Sequence, residues 1–260
     1  MDKKLNGSAD KRWLLWSSLY AAFVIVLAGV LNYTQPYSNE PVTSPTIWMI
    51  LLWGLLYLPV IALPLLAKWK VTDFGFTLNP ILALVGLLFA VFCGFMTASV
   101  RITWSSAVFE AYARTGEEVF FRGFLIFLFI RLFATQRRPW LWAAVLSSVL
   151  FTLVHTQTFQ ASFLSSYSAP TTPAAYKIFE RLLNVFIIAL GLALLLVSTR
   201  SILPGAIIHC FLNAGPYTLL FVLILYFGMT GWARLRGEQV VFGLKLNSNL
   251  SGPTTPDGKN

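Results

Sequence analysis

The sequence predicts an all-α protein, a polytopic bundle of seven or eight transmembrane helices. Of its 260 residues, 57% are hydrophobic and only 11% are charged, about half the charged fraction of a soluble globular domain. The apolar residues are also gathered into long runs of the length that a helix needs to cross a bilayer. This composition leaves too little polar surface for a water-soluble body, and it excludes a disordered chain or a disulfide scaffold.

Each predicted element is an apolar run of roughly 20 residues. The runs are Trp13–Leu31, Ile47–Ala67, Pro80–Val100, Ala107–Phe133, Trp140–Thr156, Ile178–Ser198 and Ile202–Gly228. The first run is too long for a signal-peptide core and lacks a small-residue cleavage site, so we expect it to be retained. Gly215-Pro216 can break the last run into two short helices, which leaves seven and eight spans both open.

The order of these runs predicts three parts of the chain. Residues 1–12 form an N-terminal segment, residues 13–228 form the membrane domain, and residues 229–260 form a polar tail that we expect to be disordered. The net charge is +9, but most basic residues lie between apolar runs, where Lys and Arg orient spans. Those before the first run predict a cytoplasmic N-terminus, and we expect the membrane to be the plasma membrane of a prokaryote. Membrane lipids are then expected partners, nucleic acid is not, and the oligomeric state stays open.

The fourth run is unusual because it carries five ionisable side chains, Glu110, Arg114, Glu117, Glu118 and Arg122. A charged group in a membrane helix costs about 2.5–3.5 kcal/mol on insertion scales, so such groups are functional candidates. Glu110–Arg114 and Glu118–Arg122 are i,i+4 pairs that can neutralise each other on the helix surface. Glu117 is left without an obvious local partner.

Both histidines of the chain also lie in apolar runs. His155 ends the fifth run, and His209 lies in the last one. Asn213 follows His209 by one helical turn, so an imidazole and a carboxamide share one helix face, and both can donate hydrogen bonds to one oxygen. The helical rise per residue gives the expected depth of each residue in the bilayer. These depths allow Glu117, the two histidines and Asn213 to share one polar cavity.

Three motifs occur in order, each in a separate apolar run: Glu117-Glu118-x-x-x-Arg122, Phe151-x-x-x-His155 and His209-x-x-x-Asn213. Together they resemble the CAAX prenyl endopeptidase and bacteriocin-processing family of intramembrane proteases, also called the abortive-infection or CPBP family. Phe121-Arg122-Gly123 and Ser201-Ile202-Leu203-Pro204 fit the same pattern. The resemblance covers a motif core from residue 107 to residue 213, about half of the chain.

The resemblance implies an intramembrane endopeptidase without a cofactor. Glu117 and His155 would activate a water molecule, and His209 and Asn213 would stabilise the oxyanion. Glu118 and Arg122 would support the site as an ion pair. The expected partner besides lipid is then a peptide or protein substrate, either a prenylated peptide or a leader- or signal-type peptide associated with the membrane. This set also meets the chemical needs of peptide hydrolysis, which are a general base, a proton donor and an oxyanion site.

Three alternatives stay open. A metal-dependent peptidase would use Glu117, His155 and His209 as zinc ligands, since two His and one carboxylate form a legitimate zinc set. A non-catalytic scaffold or immunity protein would bind a peptide in the same cavity. A proton-coupled transporter is weakened by the lack of inverted repeats. The sequence contains neither a Gly-x-Ser-x-Gly elbow nor a His-Glu-x-x-His helix.

The polar loop Gln157–Tyr176 follows His155 closely in the sequence. A role of this loop as a gate over the cavity is a further hypothesis.

Overall fold

The computed structural model describes residues 8–34, 46–67, 69–77, 104–155, 174–214 and 218–238. Within these ranges the regular structure is helical and contains no strand, which confirms the predicted all-α class. The elements are α1 (Ser8–Thr34), α2 (Ile47–Gly54), α3 (Leu58–Leu66), a 3₁₀ turn (Val71–Phe74), α4 (Trp104–Glu117), a π segment (Glu118–Leu125), α5 (Ile126–Leu132), α6 (Pro139–Val154), α7 (Ala174–Thr199), α8 (Leu203–Ala214) and α9 (Thr218–Leu235).

Two of the described helices contain apolar stretches long enough to cross a membrane, Lys11–Val30 of α1 and Leu182–Thr199 of α7. A third span results if α2 and α3, which are bent by 49° at their junction, count as one. α6 and the Val222–Leu235 part of α9 are apolar but shorter. The described helices therefore do not establish the predicted seven or eight spans. The predicted run Pro80–Val100 lies outside the described residues.

The last predicted run forms two helices, α8 and α9, with the break that Gly215-Pro216 predicts lying outside the described residues. α9 continues to Leu235, into the segment predicted as the polar tail. Met229 and Trp232 pack against the hydrophobic core there, and Ala233 is buried. Residues 239–260 of the predicted tail lie outside the described residues.

The centre of the fold is one continuous right-handed helix made of α4, the π segment and α5. The backbone is α-helical at both junctions, Glu117 and Ile126, so the helix widens without breaking. Every residue of the π segment is buried. α8 and α9 pack against α4, whereas α6 packs against the π segment and α5. π segments are rare and frequently occur at functional sites.

A short loop, residues 69–77, holds this central helix and the start of α8 together. The carbonyl of Phe74 lies so close to Gly123 that a Cβ there would be 2.8 Å from its oxygen, which is why the π segment needs glycine at this point. Gly75, at φ +86°, accepts a hydrogen bond from the Ile202 amide at 3.0 Å. The carboxylate of Glu238 accepts hydrogen bonds from the Val71 and Thr72 amides, each at 3.1 Å.

Candidate active site

The imidazole of His209 lies between the two adjacent glutamates of the central helix. Oε1 of Glu118 is 2.8 Å from its Nδ1, and Oε2 of Glu117 is 3.5 Å from its Nε2. All three residues are buried, with 8%, 0% and 5% of the surface of His209, Glu118 and Glu117 exposed. The structure therefore brings the first and third sequence motifs together, with one carboxylate at each ring nitrogen.

The second acid of the motif also pairs with Arg122, as the i,i+4 spacing predicts. Nη1 of Arg122 is 3.2 Å from Oε1 of Glu118, and only 1% of the arginine is exposed. The guanidinium lies over the ring of Phe151, 4.0 Å from its centroid, which is a cation–π contact. One oxygen of Glu118 thus faces both His209 and Arg122.

The prediction that Glu117 has no local partner is wrong. Oε1 of Glu117 accepts a hydrogen bond at 2.8 Å from Nη1 of Arg114, while Nε of the same arginine donates to Oε2 of Glu110 at 3.2 Å. Residues three apart are neighbours on a helix surface just as residues four apart are. The branched guanidinium can therefore serve both acids at once, a point that pairing by i,i+4 spacing alone misses.

His155 follows the last residue of α6 and lies beside the same group of rings. Its Nδ1 is 2.7 Å from the carbonyl oxygen of Phe151. Because a carbonyl only accepts, Nδ1 is the donor, and Nε2 carries the lone pair when the ring is neutral. The ring of Phe151 is 4.2 Å from that of His155 and 6.0 Å from that of His209, centroid to centroid. Phe151 therefore contacts both histidines.

Asn213 belongs to α8, one turn after His209, but its side chain lies outside what the structure describes. The pairing of His209 with Asn213 therefore stays a prediction. Most of the loop proposed as a gate, residues 156–173, also lies outside the described residues. The thiol of Cys210 lies 3.6 Å from the Thr115 hydroxyl and is fully buried.

The zinc alternative requires three ligands within reach of one metal ion. Among the described residues, no three His, Cys, Asp or Glu side chains converge at distances that would hold a metal ion. We therefore derive no step through a metal ion.

An apolar cavity of about 370 Å³ lies on another side of the central helix. Its lining comes from the α2–α3 region, α4, α8 and α9, and comprises Gly54, Tyr57, Ile61, Phe76, Tyr112, Thr115, Val119, Ile202, Leu203, Ala206, Val222, Tyr226 and Met229. Gly116, next to Glu117, allows the ring of Tyr57 to approach, since a Cβ there would be 3.0 Å from it. Sequence reasoning missed this cavity because residues distant in the chain form it.

Gly205 provides a direct test of the contact between α8 and Glu118. Gly205 lies one turn before His209 in α8. A Cβ at Gly205 would lie 3.0 Å from Oε2 of Glu118. We expect Gly205→Ala to displace the carboxylate from the imidazole and to lower activity at least about tenfold, since an ångström-scale misplacement can cost about a hundredfold. Activity and thermal unfolding of the purified protein would be measured together.

Gly191→Ala in α7 is the matched control, because a Cβ there meets nothing within 4 Å. That change should leave activity unaltered and stabilise the helix by up to about 1 kcal/mol. Wild-type activity in Gly205→Ala would contradict the role given to this contact.

The fold and site define a helical protein with apolar helices able to cross a membrane and a buried site of carboxylates and imidazoles. Residues 99–215 match the family model described as Type II CAAX prenyl endopeptidase Rce1-like. This part of the chain is similar to the CAAX protease family, in agreement with the resemblance carried by the three motifs. No curated protein and no solved structure matches the chain. The matched residues contain every candidate site residue named above.

Proposed function

We propose that the protein is an intramembrane endopeptidase in which Glu117 activates a water molecule for attack on a peptide bond. The observation that carries this proposal is the buried imidazole of His209 held between Glu117 and Glu118, within the region that matches a protease family. Such a buried set of acid and imidazole groups has a high cost in a membrane protein and is a functional candidate for that reason.

Glu117 is the best candidate for the general base. Arg114 occupies its Oε1, whereas Oε2 faces His209 and has no hydrogen-bond partner among the described residues. A water molecule beside Oε2 would give it a proton while attacking the substrate carbonyl. The same carboxyl group would then pass that proton to the leaving amine, so that no net proton is lost from the site.

His155 would share the task of holding the water. With Nδ1 donating to the Phe151 carbonyl, the lone pair on Nε2 of the neutral ring can accept a hydrogen bond from water. Phe151 packs against both imidazoles. This contact supports a position for His155 near the Glu117–His209 pair.

His209 would stabilise the negative charge that develops on the carbonyl oxygen. Its Nδ1 faces the carboxylate of Glu118, which orients the ring as a buried acid does in other hydrolases. In this role the ring carries a proton on both nitrogens. Nε2–H would then donate to the oxyanion, and Asn213, one turn later, would supply a second donor. Arg122 holds Glu118 in place for this role.

The apolar cavity supports a substrate that carries a hydrocarbon chain. Its volume of about 370 Å³ lies within the range of about 300–1,000 Å³ that small-molecule sites occupy. Thr115 and Val119 of its lining come from the same helix as Glu117 and Glu118. We therefore propose a prenylated C-terminal peptide as the first substrate class, with leader- or signal-type peptides as the second.

The test is cleavage of matched peptides by the purified protein in lipid vesicles. One peptide carries a prenyl group and its partner does not, and each is assayed with and without a chelator. We expect the prenylated peptide to be cleaved faster, with no effect of chelation. Loss of cleavage with the chelator would favour the zinc peptidase, and binding without cleavage would favour the scaffold.

A further inference from the structure

Arg114 stands between two carboxylates at the edge of the site. It donates from Nη1 to Glu117 and from Nε to Glu110, at 2.8 and 3.2 Å. We propose that Arg114 is a positioning residue for the reaction, which fixes the Glu117 carboxylate so that Oε2 faces the histidines. This inference rests on the proposed function, because it assigns a role to Arg114 through the general base.

The two oxygens of Glu117 have different surroundings, and Arg114 makes the difference. Oε1 is bound to the guanidinium, whereas Oε2 lies 3.5 Å from Nε2 of His209 without a hydrogen bond among the described residues. A carboxylate is planar, so anchoring one oxygen on a charged donor sets the direction of the other. Without Arg114 the side chain of Glu117 can rotate and lose this orientation.

Glu110 makes the anchor itself rigid. The guanidinium is a planar fork, and contacts through two of its nitrogens fix both its position and its plane. A lysine at this position would provide a point charge without that plane. Arg114 also supplies only one positive charge for two carboxylates. The negative charge of one of these two acids is therefore not compensated within this cluster.

Exposure separates Arg114 from the other arginine of the site. The side chain of Arg114 is 26% exposed, whereas that of Arg122 is 2% exposed. An ion pair with one partly exposed partner contributes less to folding stability than a fully buried pair does. Removing Arg114 should therefore cost less folding stability than removing Arg122, and guanidinium rescue separates its role from a structural one.

The experiment compares Arg114→Ala with the wild type in the vesicle assay. We expect kcat to fall about 10- to 100-fold, with KM within about threefold and a cooperative thermal unfolding transition retained. Added guanidinium ion should restore part of the lost kcat, because the partly exposed site can admit it. Arg114→Lys should fall between the two, since it keeps the charge and loses the plane.

Three controls keep the outcomes distinct. Glu110→Gln should lower kcat less than Arg114→Ala does, because the amide oxygen can still accept from Nε and Arg114 keeps its charged contact with Glu117. Arg137→Ala, at an exposed position, should neither lose activity nor respond to guanidinium. Glu117→Gln should be inactive and gain nothing from guanidinium, since the ion cannot replace a base.

Wild-type kcat in Arg114→Ala, with Glu117→Gln inactive, would overturn this inference and leave the proposed function standing. A loss of activity that follows a lower unfolding midpoint and shows no guanidinium rescue would overturn it in favour of a structural role. Absence of cleavage by the wild type, or full activity in Glu117→Gln, would overturn the proposed function and the inference with it.

Discussion

Replacing Glu117 with Gln should reduce kcat by about 10²–10⁴-fold, the usual contribution of a general base. Glutamine keeps the shape of the side chain, and its carbonyl oxygen can still accept the hydrogen bond that Arg114 donates to Oε1. The amide cannot take a proton from water, however. The loss should therefore appear in kcat while peptide binding changes little, which steady-state kinetics in vesicles would measure.

The same change at Glu110 is the matched control, because that acid lies on the same helix and shares Arg114. Glu110→Gln should lose much less activity than Glu117→Gln, because an amide oxygen can still accept the hydrogen bond from Nε of Arg114. Thermal unfolding of both variants would show that neither has lost its fold. Retention of more than a third of the activity in Glu117→Gln would remove Glu117 from the role of general base.

Arg122→Met should destabilise the protein by about 3–5 kcal/mol, the effect of breaking a buried ion pair from one side. The side chain of Glu118 is fully buried and forms an ion pair with Arg122. Without the guanidinium, the carboxylate keeps only the imidazole of His209 as an ionisable partner among the described residues, and the cation–π contact with the Phe151 ring is lost. The free energy of unfolding in detergent would measure the effect.

A double variant separates stability from chemistry. Glu118→Gln combined with Arg122→Met removes both charges, so we expect it to recover much of the lost stability. It should remain poorly active, because Nδ1 of His209 no longer faces a carboxylate. Wild-type stability in Arg122→Met, or a double variant no more stable than the single one, would contradict the buried ion pair as described.

The helical class and the closeness of His209 to the acidic motif were predictable because their signals are local and energetically strong. Long apolar runs leave few alternatives to membrane helices, and charges within them are too costly to be incidental. Glu118–Arg122 was predictable for the same reason, since the i,i+4 rule depends only on helix geometry. The match over residues 99–215 agrees with the family that these motifs resemble.

Other features depend on packing or on small energy differences and carry no such signal. The π segment shifts backbone hydrogen bonds over Glu118–Leu125 without a distinctive residue pattern. Arg114 has two acids within reach, and spacing alone gave it only Glu110. The cavity is formed by residues from Gly54 to Met229, so it depends on tertiary packing. The end of α9 was missed because the contact between Glu238 and the residue 69–77 loop is long-range.

The central claim is that Glu117 directs water to a peptide carbonyl, and oxygen labelling tests it most directly. The purified protein, in excess over a prenylated peptide, would cleave it in ¹⁸O-labelled water, and mass spectrometry would follow the label. The account predicts cleavage of one bond, with one ¹⁸O atom in the new carboxylate of the product after a single turnover. An unlabelled product with the label on Glu117, or no cleavage at all, would contradict it.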